Sequence, residues 1–333
     1  MSSPISASID ITYRCNLKCR HSYNSSGDFK AIFKRKELTD AEIINICREI
    51  AEISSIEQFC FCGGETLLRY KLIEKCTFEM KKINPNIMVN LVSNGILANE
   101  QILTKLKSCG IDNIQYSLDG ISDDSYDFIR GSKGKLSNVK QAILKTCKLG
   151  IDVNVAVLPH QKNYREFEQI IDFCAEAGVV TFRTQPFMPI GRGAMYSDSI
   201  ALTEEQYDEL KKILSTKEKN LRNKGNYMQF EWGDPMDHFY VLQEVDDIPY
   251  ITINAYGEIE LSPYLPFVIW NLITDGSLVE YFDQNISTRI LRLPLVKNVL
   301  EDMIQVEDLN GVIKKYHLPR IYEEEYINLK EQV

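Results

Sequence analysis

Runs of alternating apolar and polar residues, separated by longer stretches of helical periodicity, fill the first two thirds of the chain. The short runs read as strands at Ile5 to Ile11, Gln58 to Cys62, Met88 to Val92, Asn113 to Leu118, Val153 to Val157 and Thr181 to Pro186, each followed by a helical segment. Thr39 with Glu42 and Thr203 with Gln206 form capping-box pairs that mark two helix starts, because each side chain satisfies a backbone donor that the first turn leaves open. Six strand-helix units in succession predict an α/β fold, a partial (β/α)6 barrel built on a parallel sheet. From about Gly225 the pattern changes to a hairpin, IPYITINAYGEIELSPYLPF, turning near Tyr256-Gly257 and followed by helical segments. Residues 1–224 are expected to form the barrel, and residues 225–333 a small appended α+β domain.

Five short words interrupt the pattern where strands end: CNLKC at 15–19, GGET at 63–66, SNG at 93–95, SLDG at 117–120 and RTQP at 183–186. Ligand sites of barrels and open parallel sheets lie at the carboxyl ends of the strands, so these words mark the expected active face. Composition narrows the chemistry. A hydrophobic content of 44% supports a buried core, and a net charge of -9 without a long basic block argues against nucleic acid and against a polybasic membrane anchor. No secretion signal or membrane-span-length apolar stretch is present, which predicts a cytoplasmic protein. Nine cysteines with irregular spacing read as free thiols, ligands or nucleophiles rather than a disulfide framework. Cys47, Cys76, Cys109, Cys147 and Cys174 fall in or beside helical patterns and are expected to pack. His160, His238 and His317 form no metal-ligand pair, and YEEEY at 322–326 reads as a solvated face.

The order of these words, CNLKCRHSY, GGETLL, SNG, SLDG with Arg130-Gly131, and GRG at 191–193, resembles the radical S-adenosylmethionine (SAM) superfamily over nearly the whole chain. The hairpin NAYGEIELSPYLPF is similar to the branch with a C-terminal SPASM or twitch domain, whose members modify ribosomally synthesised peptides. The resemblance implies a TIM-like partial barrel, a 4Fe-4S cluster and SAM as cofactors. It also implies a peptide substrate, an external electron donor and, since no recognition domain precedes the first strand, a separate leader-peptide recognition protein. Its metal positions fall on Cys15, Cys19 and Ser22. Its SAM contacts fall on His21 near the adenine, Gly63, Gly64 and Glu65 at the methionyl amine, Ser93 and Asn94 at the ribose, and Ser117 with Arg130 at the methionyl carboxylate. Arg183, Gln185 and Arg192 are expected at the nucleoside or substrate. Thr66 replaces the usual proline, which is expected to loosen the GGE turn. Asp119-Gly120 reads equally well as the end of the fourth strand, and Cys60 and Cys62 as packing, with Cys62 a candidate neighbour of the cluster. Asn163 matches a family asparagine without an assignable role.

Two serines depart from the family pattern. Ser22 stands where the third cluster thiol belongs, and a serine hydroxyl holds its proton far more tightly than a thiol, so the cluster is expected to be weakened or lost. Ser262 stands where relatives carry a cysteine, and Trp270 where they carry a glycine, so the appended domain is expected to hold no auxiliary cluster. Three readings stay open: a Cys-to-Ser form of a peptide-modifying enzyme, an enzyme that tolerates serine or recruits His21, and a pseudoenzyme that binds a peptide or partner.

Overall fold

The computed structural model describes residues 4–24, 26–27, 35–233, 235–306, 309–316, 318 and 326–333. His317 and residues 322–325 of the YEEEY stretch lie outside them. Strands β1 (Ser6–Asp10), β2 (Gln58–Cys62), β3 (Met88–Ser93), β4 (Asn113–Ser117), β5 (Asp152–Val157) and β6 (Thr181–Thr184) fall where the alternation places them. They lie parallel and in sequence order. Both capping boxes form, with Thr39 and Thr203 each accepting from the backbone of the residue three positions on.

The side chains of these strands divide by the two-residue period. Phe59, Phe61, Val89, Leu91, Ile114, Tyr116, Val153 and Val155 are fully buried in the main core. The alternate positions, among them Cys60, Cys62, Asn90, Val92, Gln115 and Ser117, line a cavity inside the barrel. Helices Asp40–Glu52, Tyr70–Ile83, Glu100–Cys109, Leu136–Leu149 and Phe167–Ala177 follow strands in the expected order, each burying an apolar face.

The sheet is larger than six units predict. A seventh parallel strand, β7 (Gln229–Trp232), pairs with β6. The expected hairpin forms from β8 (Tyr250–Ile253) and β9 (Glu258–Glu260), but β8 also lies parallel to β1, matching Ser6 with Tyr250 and Ile9 with Ile253. With β10 (Phe267–Asn271) and β11 (Ile327–Asn328), the eleven strands of the described residues form one sheet in the order β11-β10-β9-β8-β1-β2-β3-β4-β5-β6-β7. The appended segment therefore continues the barrel sheet at both edges. The physical cause is the unpaired backbone that β1 and β6 would otherwise present, which strand pairing covers and which local periodicity does not reveal. No helix among the described residues is long and apolar enough to cross a membrane.

Candidate active site

Protein contacts shape the described part of the loop after β1. Glu37 fixes its start, accepting from Thr12 Oγ1 at 2.9 Å and from the Tyr13 N–H at 2.7 Å. Cys15 Sγ accepts from the Leu17 N–H at 3.4 Å, and Cys19 Sγ receives Arg130 Nη1 at 3.6 Å. Burial raises both thiols, Cys15 to about 11, while Arg130 partly offsets the rise at Cys19. Ser22 donates its hydroxyl to Asn24 Oδ1 at 3.2 Å, and its N–H reaches the Cys19 carbonyl at 3.3 Å. Arg192 closes the far side: its N–H donates to the Ser22 carbonyl at 2.9 Å, and its guanidinium to the carbonyls of Cys19 and Ser26, each at 2.8 Å. Gly191 permits this approach, because at its φ of +54° a Cβ would stand 1.9 Å from the Tyr23 carbonyl oxygen.

The GGE turn packs directly on that loop. A Cβ at Gly64 would lie 2.4 Å from the Arg14 carbonyl oxygen, and the N–H groups of Gly64 and Glu65 donate to the carbonyls of Thr12 and Arg14. Gly63 makes a similarly close approach to Thr12. Glu65 is fully buried, and both of its carboxylate oxygens are engaged. Oε1 accepts from Ser93 Oγ at 2.8 Å and from the Leu67 N–H at 2.9 Å, and Oε2 from the Asn94 N–H at 2.8 Å. Asn94 in turn donates to Asn16 Oδ1 at 2.7 Å, tying the SNG turn to the cysteine loop. In this structure Glu65 and Ser93 are thus committed to each other, leaving backbone groups of the GGE turn as the available contacts for an amine. The expected loosening at Thr66 is not found: its hydroxyl donates to the Val92 carbonyl at 2.7 Å and the residue is buried. A hydroxyl bond does here what a proline ring would do by restricting φ.

At the end of β4, Asp119 anchors a second network. Its carboxylate lies 2.5 Å from Arg130 Nη2, an ion pair rather than a well-aligned hydrogen bond, and accepts from the Leu158 N–H at 2.7 Å. Asp119 is 1% exposed and Arg130 7%; burial pushes the carboxyl up, and the guanidinium together with the other partners, the Leu158 N–H among them, more than offsets this and holds it below its usual range. Asn163, which had no role in the sequence, donates to the Asp119 carbonyl at 3.1 Å, and the His160 ring meets the same oxygen at 3.0 Å. His21 Nε2 stands 3.8 Å from Asp119. Burial, reinforced by Arg130, drives the His21 imidazole to about 3, so the ring is neutral, and its buried Nδ1 has no hydrogen-bond partner among the described residues.

These residues converge on a cavity of about 700 Å³ lined by His21, Ser117, Asp119, Arg130, Asn90 and Gln115, with Arg183, Gln185, His238 and Tyr250 at its margin. The volume falls within the range of small-molecule sites. A smaller adjoining cavity of about 330 Å³ exposes Asp10 and Glu260. Cys62 belongs to this inner surface: its sulfur lies 3.6 Å from Cys60 Sγ, and Asp10 lies near it. Among the described residues no group of three or more His, Cys, Asp or Glu side chains is arranged to hold a metal ion. The chemistry of the donor set explains this: two thiols and one hydroxyl do not supply the three soft thiolates of an iron-sulfur loop. The last cysteine in the chain is Cys174, so residues 225–333 contribute none; Ser262 is buried with its Oγ accepting from the Tyr264 N–H, and Trp270 is a core residue.

Of the sequence-predicted site residues, Glu65, Ser93, Asn94 and Cys15 meet in one network and Cys19, Ser22 and Arg130 in a second, the two joined through the cysteine loop, and Ser117, Arg130 and His21 share the cavity. Asp119 and Glu37 carry more of the architecture than the sequence disclosed. Their only signal was a carboxylate placed just beyond a strand end or just ahead of a helix.

The Radical SAM superfamily pattern matches residues 9–174. The sporulation killing factor maturation protein SkfB of Bacillus subtilis is 26% identical over 234 residues, covering 70% of this chain and 52% of that protein. The mycofactocin maturase MftC of Mycolicibacterium smegmatis is 27% identical over 216 residues, covering 63% and 51%. This chain thus spans about half the length of the curated relatives it matches. Streptococcus suis SuiB bound to S-adenosylmethionine superposes with a TM-score of 0.67 at 12% identity, covering 90% of this chain and 75% of SuiB, a likeness of fold.

Proposed function

Since the chain belongs to the radical S-adenosylmethionine superfamily, whose cofactors are a 4Fe-4S cluster and SAM, we propose that it binds SAM in the barrel cavity and acts on a ribosomally synthesised peptide. In this reading Ser22 withholds the third cluster thiolate and disables or severely slows radical formation. Peptide maturases among its relatives support the substrate class, as does a SuiB structure with the precursor peptide SuiA. The observation that carries the proposal is the contrast between a complete strand-end network, Glu65 with Ser93 and Asn94 and Arg130 with Asp119, and a loop short of one sulfur.

The contribution of this chain is to bind and orient. Arg130, already charged and buried, offers a carboxylate partner; Ser117 offers a hydroxyl in the same cavity; neutral His21 offers an aromatic face. Held by three thiolates, the superfamily's cluster would supply one electron to SAM; Cys15, Cys19 and the Ser22 hydroxyl do not make that donor set. Residues 225–333 add the cavity margin at His238, Tyr250 and Tyr264 and form the substrate-facing part. A leader-recognition protein and an electron donor belong to the same proposal, as does a cytoplasmic location.

A second reading, a SAM- and peptide-binding protein without catalysis, is favoured by the Ser22 hydroxyl, whose contact is a neighbouring amide oxygen. Anaerobic iron-sulfide reconstitution of the protein and of Ser22→Cys separates the two, followed by absorbance, electron paramagnetic resonance and 5'-deoxyadenosine release. The enzyme reading expects Ser22→Cys to gain a cluster and cleave SAM. If it gains neither, the binding-only reading replaces it. Calorimetric SAM titration of the unreconstituted protein tests the pocket itself.

A further inference from the structure

The barrel interior contains polar side chains that the proposed SAM site does not use. β3, β4 and β5 read MVNLVS, NIQYS and DVNVAV, and the polar member of each central alternation, Asn90, Gln115 and Asn154, faces away from the buried helix-side positions. Parallel register sets Gln115 beside Asn154 and Val92, and sets Asn90 beside Cys60 and Asn113, one inward position from Gln115. Asn90 and Gln115 line the 700 Å³ cavity. The amide oxygens of Asn90 and Asn154 are buried without a hydrogen-bond partner among the described residues.

Such groups are costly. A buried amide oxygen left unpaired costs stability, whereas an aliphatic side chain of the same shape would be neutral or stabilising. The unpaired oxygens of Asn90 and Asn154 therefore work against the stability of the fold. Asn90 and Gln115 reach the cavity, where their capacity is available to a ligand.

We propose that Asn90 and Gln115, with Asn154 beside them, form an amide-reading subsite in the depth of the barrel. Whichever way each carboxamide is turned, it presents one donor end and one acceptor end. The matching chemistry is another amide, offering N–H and C=O together. An aliphatic group leaves the oxygens unpaired, and a lone carboxylate or ammonium meets only half of each carboxamide. For a peptide substrate the subsite takes a backbone amide or an Asn or Gln side chain. That source rests on the peptide reading above, since the lactam edge of a nucleobase carries the same donor-acceptor pair.

The test uses the full chain and the volume-conserving variants Asn90→Leu and Gln115→Met, with N-acetyl-asparagine-N-methylamide as probe and N-acetyl-leucine-N-methylamide and guanosine as comparators. Saturation-transfer NMR and calorimetry read binding; thermal unfolding reads stability. The proposal expects the asparagine probe to bind in preference to the leucine probe and to weaken at least tenfold in each variant, while Tm stays level or rises. It is overturned by equal binding of parent and variants, by a lower Tm in both variants, which would make the amides structural, or by preference for guanosine, which would make the ligand a nucleobase. SAM titration keeps the two proposals apart: a parent protein that does not bind SAM sinks the function proposed above and leaves the subsite standing, whereas loss of SAM binding only in the variants assigns Asn90 and Gln115 to SAM and overturns the subsite.

Discussion

Arg130 and Asp119 meet at 2.5 Å in a buried ion pair that joins the last residue of helix Asp123–Arg130 to the end of β4. Breaking it from one side leaves a charge in the interior. Asp119→Ala is expected to cost about 3–5 kcal/mol, read by denaturant unfolding. The double variant Asp119→Ala with Arg130→Met is expected to lose less than the sum of the single changes, and additive losses would show that the pair is not coupled.

Glu65 receives three donors in a site closed to water. Glu65→Gln replaces one acceptor oxygen with an amide that cannot accept, so a buried N–H or hydroxyl loses its partner. The expected loss is about 1–3 kcal/mol, with faster hydrogen exchange at Asn94 and Leu67. Unchanged exchange at both amides would contradict the assigned role.

Asp10 gives the protein a pH signature. Burial raises its carboxyl to about 7, against hydrogen bonds from Tyr13, Tyr23 and Asn24, and it faces Glu260, Cys62 and the phenol of Tyr326. Its folded value lies above its unfolded value of 3.8, so between these limits the native state binds more protons. Stability is then expected to fall as pH rises from about 4 to 7 and to level off above, the reverse of a salt-bridged carboxylate. Glu260, also raised by burial, acts in the same direction. Asp10→Asn should flatten a Tm profile measured from pH 5 to pH 8 and raise Tm at the alkaline end; a slope equal to that of the parent would refute the assignment.

Gly191→Ala is expected to destabilise the protein by about 1–3 kcal/mol, because the new methyl group collides with backbone rather than with a movable side chain. Hydrogen exchange should rise across residues 15–24, and the effect should exceed that of Gly178→Ala, where a Cβ meets nothing within 4 Å and only the positive φ opposes it.

How far the sequence carried depends on the range of the interaction. β1 to β6 and the hairpin turn were readable because alternation and turn residues act within a few positions. The pairing of β8 with β1 joins residues some 240 apart, and only the demand of an open sheet edge explains it. Similarly, CNLKC, GGE and SNG were legible as words, but Glu65 serving Ser93 and Asn94 depends on two loops meeting in space. Thr66 shows the limit from the other side: a missing proline suggested slack, and a hydroxyl bond to Val92 supplied the restraint. The carboxamides of MVNLVS, NIQYS and DVNVAV drew no notice in the sequence, and only burial revealed that the oxygens of Asn90 and Asn154 lack partners among the described residues.

The strap formed by Gly191 and Arg192 carries one more consequence. Carbonyl contacts from Gly191 and Arg192 mould the cysteine loop through its backbone, so its shape is expected to be indifferent to whether position 22 carries oxygen or sulfur. In such a loop the demands of folding and the demands of a ligand fall on different atoms.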